Sequence, residues 1–163
     1  MNKANVDTVT TTTDAAELDE LLWHVLWQPL GLPHDVRPVF SVDGEELELV
    51  AKDKGRIVGG LVAVWTADAE VELRHLAVAS NAQRHGKGRS LVSELVRIVG
   101  PRGCRRIHTI ARNTSADFFR QLGFRAAPGK APEHPAFARH GISFELMEKT
   151  VEPAGAGNAL QRA

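Results

Sequence analysis

The sequence predicts a single-domain α/β fold with a mixed, mostly antiparallel sheet and helices on both faces. Two patterns predict it: three consecutive strands follow the first helix, and from the third of these strands onward the chain alternates as β-α-β-α-β. The length of 163 residues, 43% of them apolar and 25% charged, suits one domain with a buried core. We expect that domain over residues 6–152, with flexible ends at 1–5 and 153–163.

The first half begins with a helix and continues with strands. Asp14 and Glu17 have the spacing of a capping box, and leucine and valine then recur at helical intervals. Lys54-Gly55 predicts the turn of a β-hairpin. The predicted elements are a helix over 14–28, a loop or short helix over 34–40, and strands over 46–51, 57–65 and 70–78.

In the strand over 70–78, side chains alternate between two faces. One face carries Val71, Leu73, His75 and Ala77, and the other carries Glu72, Arg74, Leu76 and Val78. In the second half, the period changes to that of a helix. The predicted elements there are a helix with its apolar stripe over 91–99, a strand over 105–111, a helix over 114–122 and a strand over 141–149.

The charges of the chain balance, with twenty basic and twenty acidic residues. This composition gives no general attraction to nucleic acid or an anionic membrane, so we expect neither as a partner. The single Cys104 cannot form an internal disulfide, residues 1–5 lack the apolar run of a signal peptide, and no segment reaches the roughly 18 apolar residues of a spanning helix. A cytoplasmic location is expected.

A glycine-containing loop separates the third strand from the second helix. It consists of Gln83, Arg84, His85, Gly86, Lys87, Gly88, Arg89 and Ser90. Amides at the helix start can bind an anion, glycines allow close backbone approach, and three basic side chains add charge. The glycines alone favour a plain strand-to-helix turn with solvated basic residues. Asn81 and Gly88 exclude a Walker A loop, and Leu91 stands where a Rossmann fingerprint needs its third glycine.

The spacing Gln83-x-x-Gly86-x-Gly88 matches the acetyl-CoA signature of the GNAT superfamily of N-acetyltransferases. A second block, Asn113, Ala116, Phe118, Phe119 and Leu122-Gly123-Phe124, is similar to the later helix of that family. The chain therefore resembles a GNAT enzyme from about residue 14 to about residue 150. The resemblance implies the acyl-CoA N-acyltransferase fold and a V-shaped opening between the strand ending at Val78 and the strand beginning near Arg105.

The same resemblance implies an acyltransferase that moves the acetyl group of acetyl-CoA to a primary amine by direct transfer in a ternary complex. The acceptor is a small molecule or a peptide, and a homodimer is common in the family. An amide near Leu76 would polarise the thioester carbonyl. The residues implied to bind acetyl-CoA are Leu76, Ala77, Val78, Gln83, Arg84, His85, Gly86, Lys87, Gly88, Arg89, Ser90, Asn113, Phe118 and Phe119.

Direct transfer needs a base for the amine proton. Glu72 resembles the strand glutamate that is the general base in several histone-type members, and the alternative is a solvent-facing residue paired with Arg74. His75 is expected to be a packed, hydrogen-bonded histidine instead of a catalyst. Trp27 and His24 are candidate acceptor-site residues, with packing and solvation as their respective alternatives. Asn113 either caps its helix or contacts the cofactor.

The chain departs from the family at Phe119, which stands where many members have the tyrosine that protonates the leaving thiolate. The sequence contains no tyrosine, so water or another group must act there. The departure leaves a second function open, a catalytically weak CoA-binding sensor or interaction module on the same fold. His134 and His140 do not have zinc-site spacing, so no metal is expected, and Cys104 is expected to be a packing residue.

Overall fold

A computed structural model describes residues 5–153 of the chain. Its helices and strands are β1 Asn5–Thr8, α1 Thr12–Leu22, β2 Glu46–Asp53, β3 Arg56–Ala67, β4 Glu70–Val78, α2 Lys87–Val99, β5 Arg106–Arg112, α3 Ala116–Gln121, β6 Arg125–Ala126, α4 Pro135–Ala138 and β7 Phe144–Thr150. The strands form a seven-stranded sheet in the order β1-β2-β3-β4-β5-β7-β6. The predicted α/β class with a mostly antiparallel sheet is confirmed.

Most of the two ends that were expected to be flexible, residues 1–4 and 154–163, lies outside the described residues. Asn5 begins β1, a strand that the sequence patterns did not predict, and β1 pairs antiparallel with β2. The chain forms two compact units. Among the described residues, one comprises 5–64 together with Arg74–Glu94, and the other comprises Trp65–Leu73 together with 95–153.

In the first unit, β2 and β3 form the predicted antiparallel hairpin. Lys54 and Gly55 have φ angles of 52° and 78°, the left-handed conformation that a two-residue type I′ turn requires at both positions. Glycine adopts this conformation at no steric cost, and Lys54 adopts it as part of the same turn. The turn prediction from the sequence is therefore confirmed.

The predicted start of the first helix was wrong by about two residues. Thr11 is the N-cap, and its side chain accepts a hydrogen bond from the Asp14 amide at 3.0 Å, so Asp14 lies in the first turn. The helix continues beyond Leu22 through a π-helical turn over Trp23–Trp27 and a 3₁₀ turn over Gln28–Leu30. In the segment left open as loop or short helix, Arg37–Phe40 forms a 3₁₀ turn.

Two consecutive glycines in β3 allow helices to pack closely on opposite faces of this strand. The Cβ position of Gly59 lies 3.2 Å from Leu91 Cδ1 of α2, and that of Gly60 overlaps the side chain of Leu18 in α1. Successive strand residues point to opposite faces, which explains why each glycine meets a different helix. Leu18 and Leu91 are fully buried, so these contacts belong to the core.

We expect Gly60→Val to lower the free energy of unfolding by about 1–3 kcal/mol, because a side chain there overpacks the contact with Leu18. The measurement is chemical denaturation followed by circular dichroism. The double variant Leu18→Ala/Gly60→Val should lose less stability than the sum of the two single variants, because the alanine makes room for the valine. Strictly additive losses would contradict this account of the glycine.

In the second unit, β4 and β5 are parallel and β5 and β7 are antiparallel. Helix α3 ends at Gln121, and Gly123, with a φ of 91°, turns the chain so that the Phe124 amide donates to the Phe119 carbonyl at 3.0 Å. The last strand begins at Phe144, three residues later than predicted, and β6 pairs with it. Across residues 5–153, none of the helices has the length and apolar character needed to cross a membrane.

Candidate functional site

The loop that joins β4 to α2 has a backbone conformation suited to binding an anion. The Gln83 side chain donates from Nε2 to the Val78 carbonyl at 3.0 Å and so holds the start of the loop at the end of the strand. Arg84 and Gly86 have φ angles of 69° and 79°, which turn the chain into the helix. The Ser90 amide then donates to the Gly86 carbonyl at 2.9 Å, which closes the first helical turn.

Helix α2 begins at Lys87, so the amides of its first turn are available to a ligand at the loop. The space beside Gly86 is open, with no heavy atom within 4 Å of the position of a Cβ atom. Around these amides, Arg84, His85, Gly86 and Arg89 are exposed and Lys87, Gly88 and Ser90 are partly buried. Amides at a helix start, the helix dipole and cationic side chains together favour a ligand that carries several phosphates.

The end of β4 is tied to its own unit by short contacts. The Ala79 amide donates to the Val58 carbonyl at 2.8 Å, and Ala77 is buried beside the contact between Gly59 and α2. Leu76 and Val78 are partly buried. These contacts fix the position of the backbone at the end of β4. A fixed backbone is what a strand needs if its amides and carbonyls are to bind a ligand.

In the second unit, Glu72 is paired with a histidine that the sequence patterns did not single out. Glu72 is only 8% exposed, so the interpretation of a solvent-facing strand residue was wrong. It is the register partner of His108 in the parallel pair of β4 and β5, and Glu72 Oε1 lies 3.9 Å from His108 Nδ1. The other ring nitrogen, Nε2, lies 3.1 Å from Thr66 Oγ1.

The surroundings of His108 favour its neutral form. Burial lowers the pKa of the His108 imidazole, whereas the negative charge of Glu72 acts in the opposite direction. On the neighbouring strands, Arg106 forms ion pairs with Glu70 at 3.4 Å and with Glu148 at 3.2 Å. Strand alternation places these side chains on the same face as Glu72 and His108, so one face carries a row of acidic, basic and imidazole groups.

Sequence reasoning missed His108 because its significance depends on the register between β4 and β5. Nothing local to the sequence around His108 differs from that of an ordinary alternating strand. A signal was present in principle, since alternation within β5 sets His108 apart from the buried Ile107 and Thr109. It became informative only when the parallel register placed it opposite Glu72.

Asn113 is not the N-cap of α3, and that interpretation was wrong. The N-cap is Ser115, and Asn113 instead bridges the end of β5 to the segment before β7. Its side chain donates from Nδ2 to the Gly141 carbonyl at 3.2 Å and accepts at Oδ1 from the Ser143 amide at 3.2 Å. Both polar atoms of the Asn113 side chain therefore hydrogen-bond to the backbone of the segment before β7. A contact of Asn113 with a cofactor stays a prediction.

The two phenylalanines predicted to bind the cofactor lie in an aromatic cluster on α3. Phe119 is 4% exposed, and its ring makes edge contacts with Phe118 at 5.2 Å and Phe124 at 5.1 Å between centroids. Phe118 is partly exposed. Phe119 is thus a packed apolar ring with no hydroxyl to donate a proton.

The candidate acceptor residues in the first unit differ in exposure. Trp27 is 3% exposed, and its ring contacts Phe40 at 5.9 Å and the edge of His75 at 5.1 Å. Packing thus accounts for Trp27, and His75 lies against an aromatic ring, as expected of a packed histidine. His24 is exposed. Any role of Trp27 or His24 in acceptor binding stays a prediction.

Cys104 is fully buried, and burial raises the pKa of its thiol. The thiol donates to the Arg106 carbonyl at 3.4 Å. Because the thiolate is the reactive form, we expect Cys104 to react with a chromogenic disulfide reagent only after denaturation. Fast reaction of the native protein would contradict this.

In residues 5–153, no three or more His, Cys, Asp or Glu residues are grouped so as to hold a metal ion.

Comparisons with known proteins bear on the family and the fold of the chain. A family model described as Acetyltransferase (GNAT) family matches residues 12–124. A search of curated protein sequences found no significant match. Three solved structures have similar folds. Tetrahymena GCN5 matches with a TM-score of 0.69 and 19% identity, over 91% of this chain and 97% of that one. An aminoglycoside 6'-N-acetyltransferase complexed with coenzyme A matches with a TM-score of 0.71 and 17% identity, over 91% and 98% of the two chains, and the ribosomal-protein-S18-alanine N-acetyltransferase of Escherichia coli with 0.70 and 18%, over 93% and 96%.

Proposed function

The chain belongs to the acetyltransferase (GNAT) family, and on that premise we propose that it transfers the acetyl group of acetyl-CoA to a primary amine. The transfer is direct, within a ternary complex of enzyme, acetyl-CoA and amine. The single observation that carries the proposal is the loop between β4 and α2. Its left-handed Arg84 and Gly86, its open space and its cations suit the phosphates of coenzyme A.

Acetyl-CoA binding is assigned to two segments. The loop from Gln83 to Ser90 binds the phosphates through the first-turn amides of α2 and through Arg84, Lys87 and Arg89. The backbone of Leu76–Val78 binds the pantetheine arm, and the amide near Leu76 stabilises the negative charge that develops on the thioester oxygen. A donor of this kind typically contributes about 3 kcal/mol to the barrier of acyl transfer.

Glu72 is assigned as the general base that takes the proton of the amine. Its burial supports the assignment, because the attraction between a carboxylate and an ammonium group is screened less where water is excluded. The thiolate that leaves is protonated by water or by a group other than a phenol, because Phe119 has no hydroxyl and the chain has no tyrosine. A thiol with a pKa near that of cysteine, about 8.5, leaves with modest help.

The acceptor is proposed only as a class, a primary amine on a small molecule or a peptide. The names of similar structures include an aminoglycoside acetyltransferase and an acetyltransferase for an alanine of a ribosomal protein. Because relatives of one fold act on such different amines, the fold does not select among acceptors. The test is therefore a panel: aminoglycosides, peptides with N-terminal alanine, peptides with internal lysine, and polyamines.

The assay follows acetyl-CoA-dependent thiol release with a chromogenic disulfide reagent, for which the burial of Cys104 gives a low background. Mass spectrometry then shows whether the acceptor has gained the mass of one acetyl group, as transfer to the amine requires. Thiol release that depends on one class of amine would support the proposal and identify its acceptor. Release that is equal with and without every amine would contradict it.

A catalytically weak CoA-binding sensor or interaction module is the second candidate. The observation that favours it is Phe119, a buried ring in the place of the proton donor that many relatives have. The two candidates share the loop and differ in turnover. Calorimetry that detects acetyl-CoA binding, together with no acetylated amine anywhere in the panel, would support the sensor.

A further inference from the structure

We propose that His108 is a proton relay that takes the proton from Glu72 and passes it, beside the hydroxyl of Thr66, to solvent. This inference rests on the proposed function, in which Glu72 is the base. It deepens that function by assigning a positioning and proton-transfer role to a residue that the acetyl-CoA motifs do not include. The three side chains all lie in the second unit, on β3, β4 and β5.

The stoichiometry of the reaction requires a route by which one proton leaves the site. A protonated amine and acetyl-CoA become an amide, a free thiol and one proton. The ammonium nitrogen loses two protons as its new bond to the acetyl carbon forms and the carbon–sulfur bond breaks. One of these protons balances the thiol, and the other reaches solvent in every turnover. A buried base that kept it could not act again.

The hydrogen bonds around Thr66 define the state of the imidazole. The Thr66 hydroxyl donates to the Glu70 carbonyl at 3.5 Å, so its oxygen is the acceptor for a proton on His108 Nε2 at 3.1 Å. In the neutral imidazole, Nδ1 is then the unprotonated nitrogen, as assigned from this network. This nitrogen faces Glu72 at 3.9 Å and is placed to accept a proton from its carboxyl group.

The relay follows from this arrangement. Glu72 takes the amine proton, Nδ1 of His108 accepts it as the two groups close from 3.9 Å, directly or through a water molecule, and Nε2 releases its own proton beside Thr66. The imidazole then carries its proton on Nδ1, and exchange with water returns it to the Nε2–H tautomer before the next turnover. Thr66 is exposed, whereas Glu72 is buried and His108 is partly buried. The chain of three groups therefore leads from a buried carboxylate to the surface.

The charges that face His108 suit a carrier that holds a proton only briefly. They are Glu72 and Glu70 on β4, Arg106 on β5 and Glu148 on β7. Burial lowers the pKa of His108, and Arg106 acts in the same direction, while the three carboxylates oppose them. Burial and Arg106 thus favour the neutral imidazole, while the carboxylates favour the imidazolium, as suits a group that takes up a proton and then releases it.

The test compares His108→Gln and Thr66→Val with wild type in kcat, measured between about pH 6 and pH 9 with the acceptor found by the panel. Glutamine preserves polar contacts but cannot carry a proton, so we expect kcat to fall about 10-fold near pH 7 and to recover as pH rises, when the amine is already neutral. Thr66→Val should give a smaller loss with the same pH trend. Thr150→Val, an exposed threonine at the end of β7, is the matched control.

Two further readouts separate a relay from a structural role. Added imidazole should restore activity to His108→Ala, since a free imidazole can carry the proton through the space vacated by the ring. The affinity for acetyl-CoA, measured by calorimetry, should be the same in all variants. In nuclear magnetic resonance titrations, Glu72→Gln should lower the pKa of His108, because it removes a carboxylate that raises it.

The outcomes also distinguish this inference from the proposed function. A wild-type enzyme that acetylates an amine, with His108→Gln showing the same kcat at every pH, would overturn the relay alone. The relay is likewise overturned if imidazole does not rescue His108→Ala while this variant is folded and binds acetyl-CoA. A wild-type protein that acetylates none of the amines in the panel would overturn the proposed function, and the relay with it.

Discussion

Glu72→Gln is expected to lower kcat by about 100-fold or more near pH 7, since a positioned general base typically contributes a factor of about 10² to 10⁴. Glutamine has nearly the same shape as glutamate but cannot accept the proton of the ammonium group. The loss should shrink as pH rises, because a growing fraction of the amine is then already neutral. The measurement is kcat against pH by thiol release, with the acceptor that the panel identifies.

The control for this variant is Glu145→Gln. Glu145 is likewise a strand glutamate with a charged partner; it is partly buried, it pairs with Arg120 at 2.6 Å, and it has no assigned part in the chemistry. We expect its kcat to stay within about twofold of wild type. Calorimetry should show acetyl-CoA binding by both variants. A Glu72→Gln enzyme with the wild-type pH profile would exclude Glu72 as the base, although the fold and the cofactor loop would be unaffected.

Gly86→Trp is expected to raise the dissociation constant of acetyl-CoA by about 100-fold. The indole would occupy the open space beside the first-turn amides of α2 and exclude the phosphates from them. Two hydrogen bonds to a charged group are together worth about 3 kcal/mol or more, and each 1.4 kcal/mol changes a dissociation constant about tenfold. Isothermal titration with acetyl-CoA measures the effect directly, without need of an acceptor.

A closely matched control exists in the β2–β3 hairpin. Gly55 has a φ of 78°, against 79° for Gly86, and each has open space where a side chain would go. Gly55→Trp therefore imposes the same backbone strain at a turn with no proposed ligand. We expect it to bind acetyl-CoA as wild type does, with a similar small loss of stability. Equal weakening of binding in both variants would attribute the effect to strain and not to the loop.

Glu72→Gln and Gly86→Trp together separate the candidate functions. If Gly86→Trp abolishes both binding and turnover while Glu72→Gln abolishes turnover alone, the protein is an acetyltransferase with a carboxylate base. If wild type binds acetyl-CoA, Gly86→Trp does not, and no amine is acetylated, the sensor on the same fold is favoured. The Gly86→Trp variant thus tests acetyl-CoA binding, and the Glu72→Gln variant tests the general base, independently of each other.

Local patterns were enough to predict most of the elements. The hairpin turn at Lys54-Gly55 was predictable because only a few residue types adopt its left-handed conformation. The boundaries were less accurate. The first helix starts at Thr12 because Thr11 supplies the cap, and the sequence offers several threonines in succession that could do so. Strand β1 is four residues long and polar, so its pairing with β2 left little periodicity to detect.

The candidate site likewise has one part that local sequence predicts and another that depends on strand pairing. The motif around Gln83 and Gly86 is contiguous, so its spacing could be recognised in the sequence and its backbone conformation follows from local chemistry. The function of Asn113 could not be predicted in this way. Its side chain meets Gly141 and Ser143, which come from a segment whose position depends on the pairing of β5 with β7.

The family resemblance, the order of the elements and the glycine-containing loop could all be recognised in the sequence alone, because each depends on contiguous motifs or on local periodicity. The burial of Glu72, the packing of Trp27 against His75 and the place of His108 beside Glu72 became evident only in the folded chain. Strand register explains why. A shift of one residue between β4 and β5 would turn His108 to the opposite face of the sheet and separate it from Glu72.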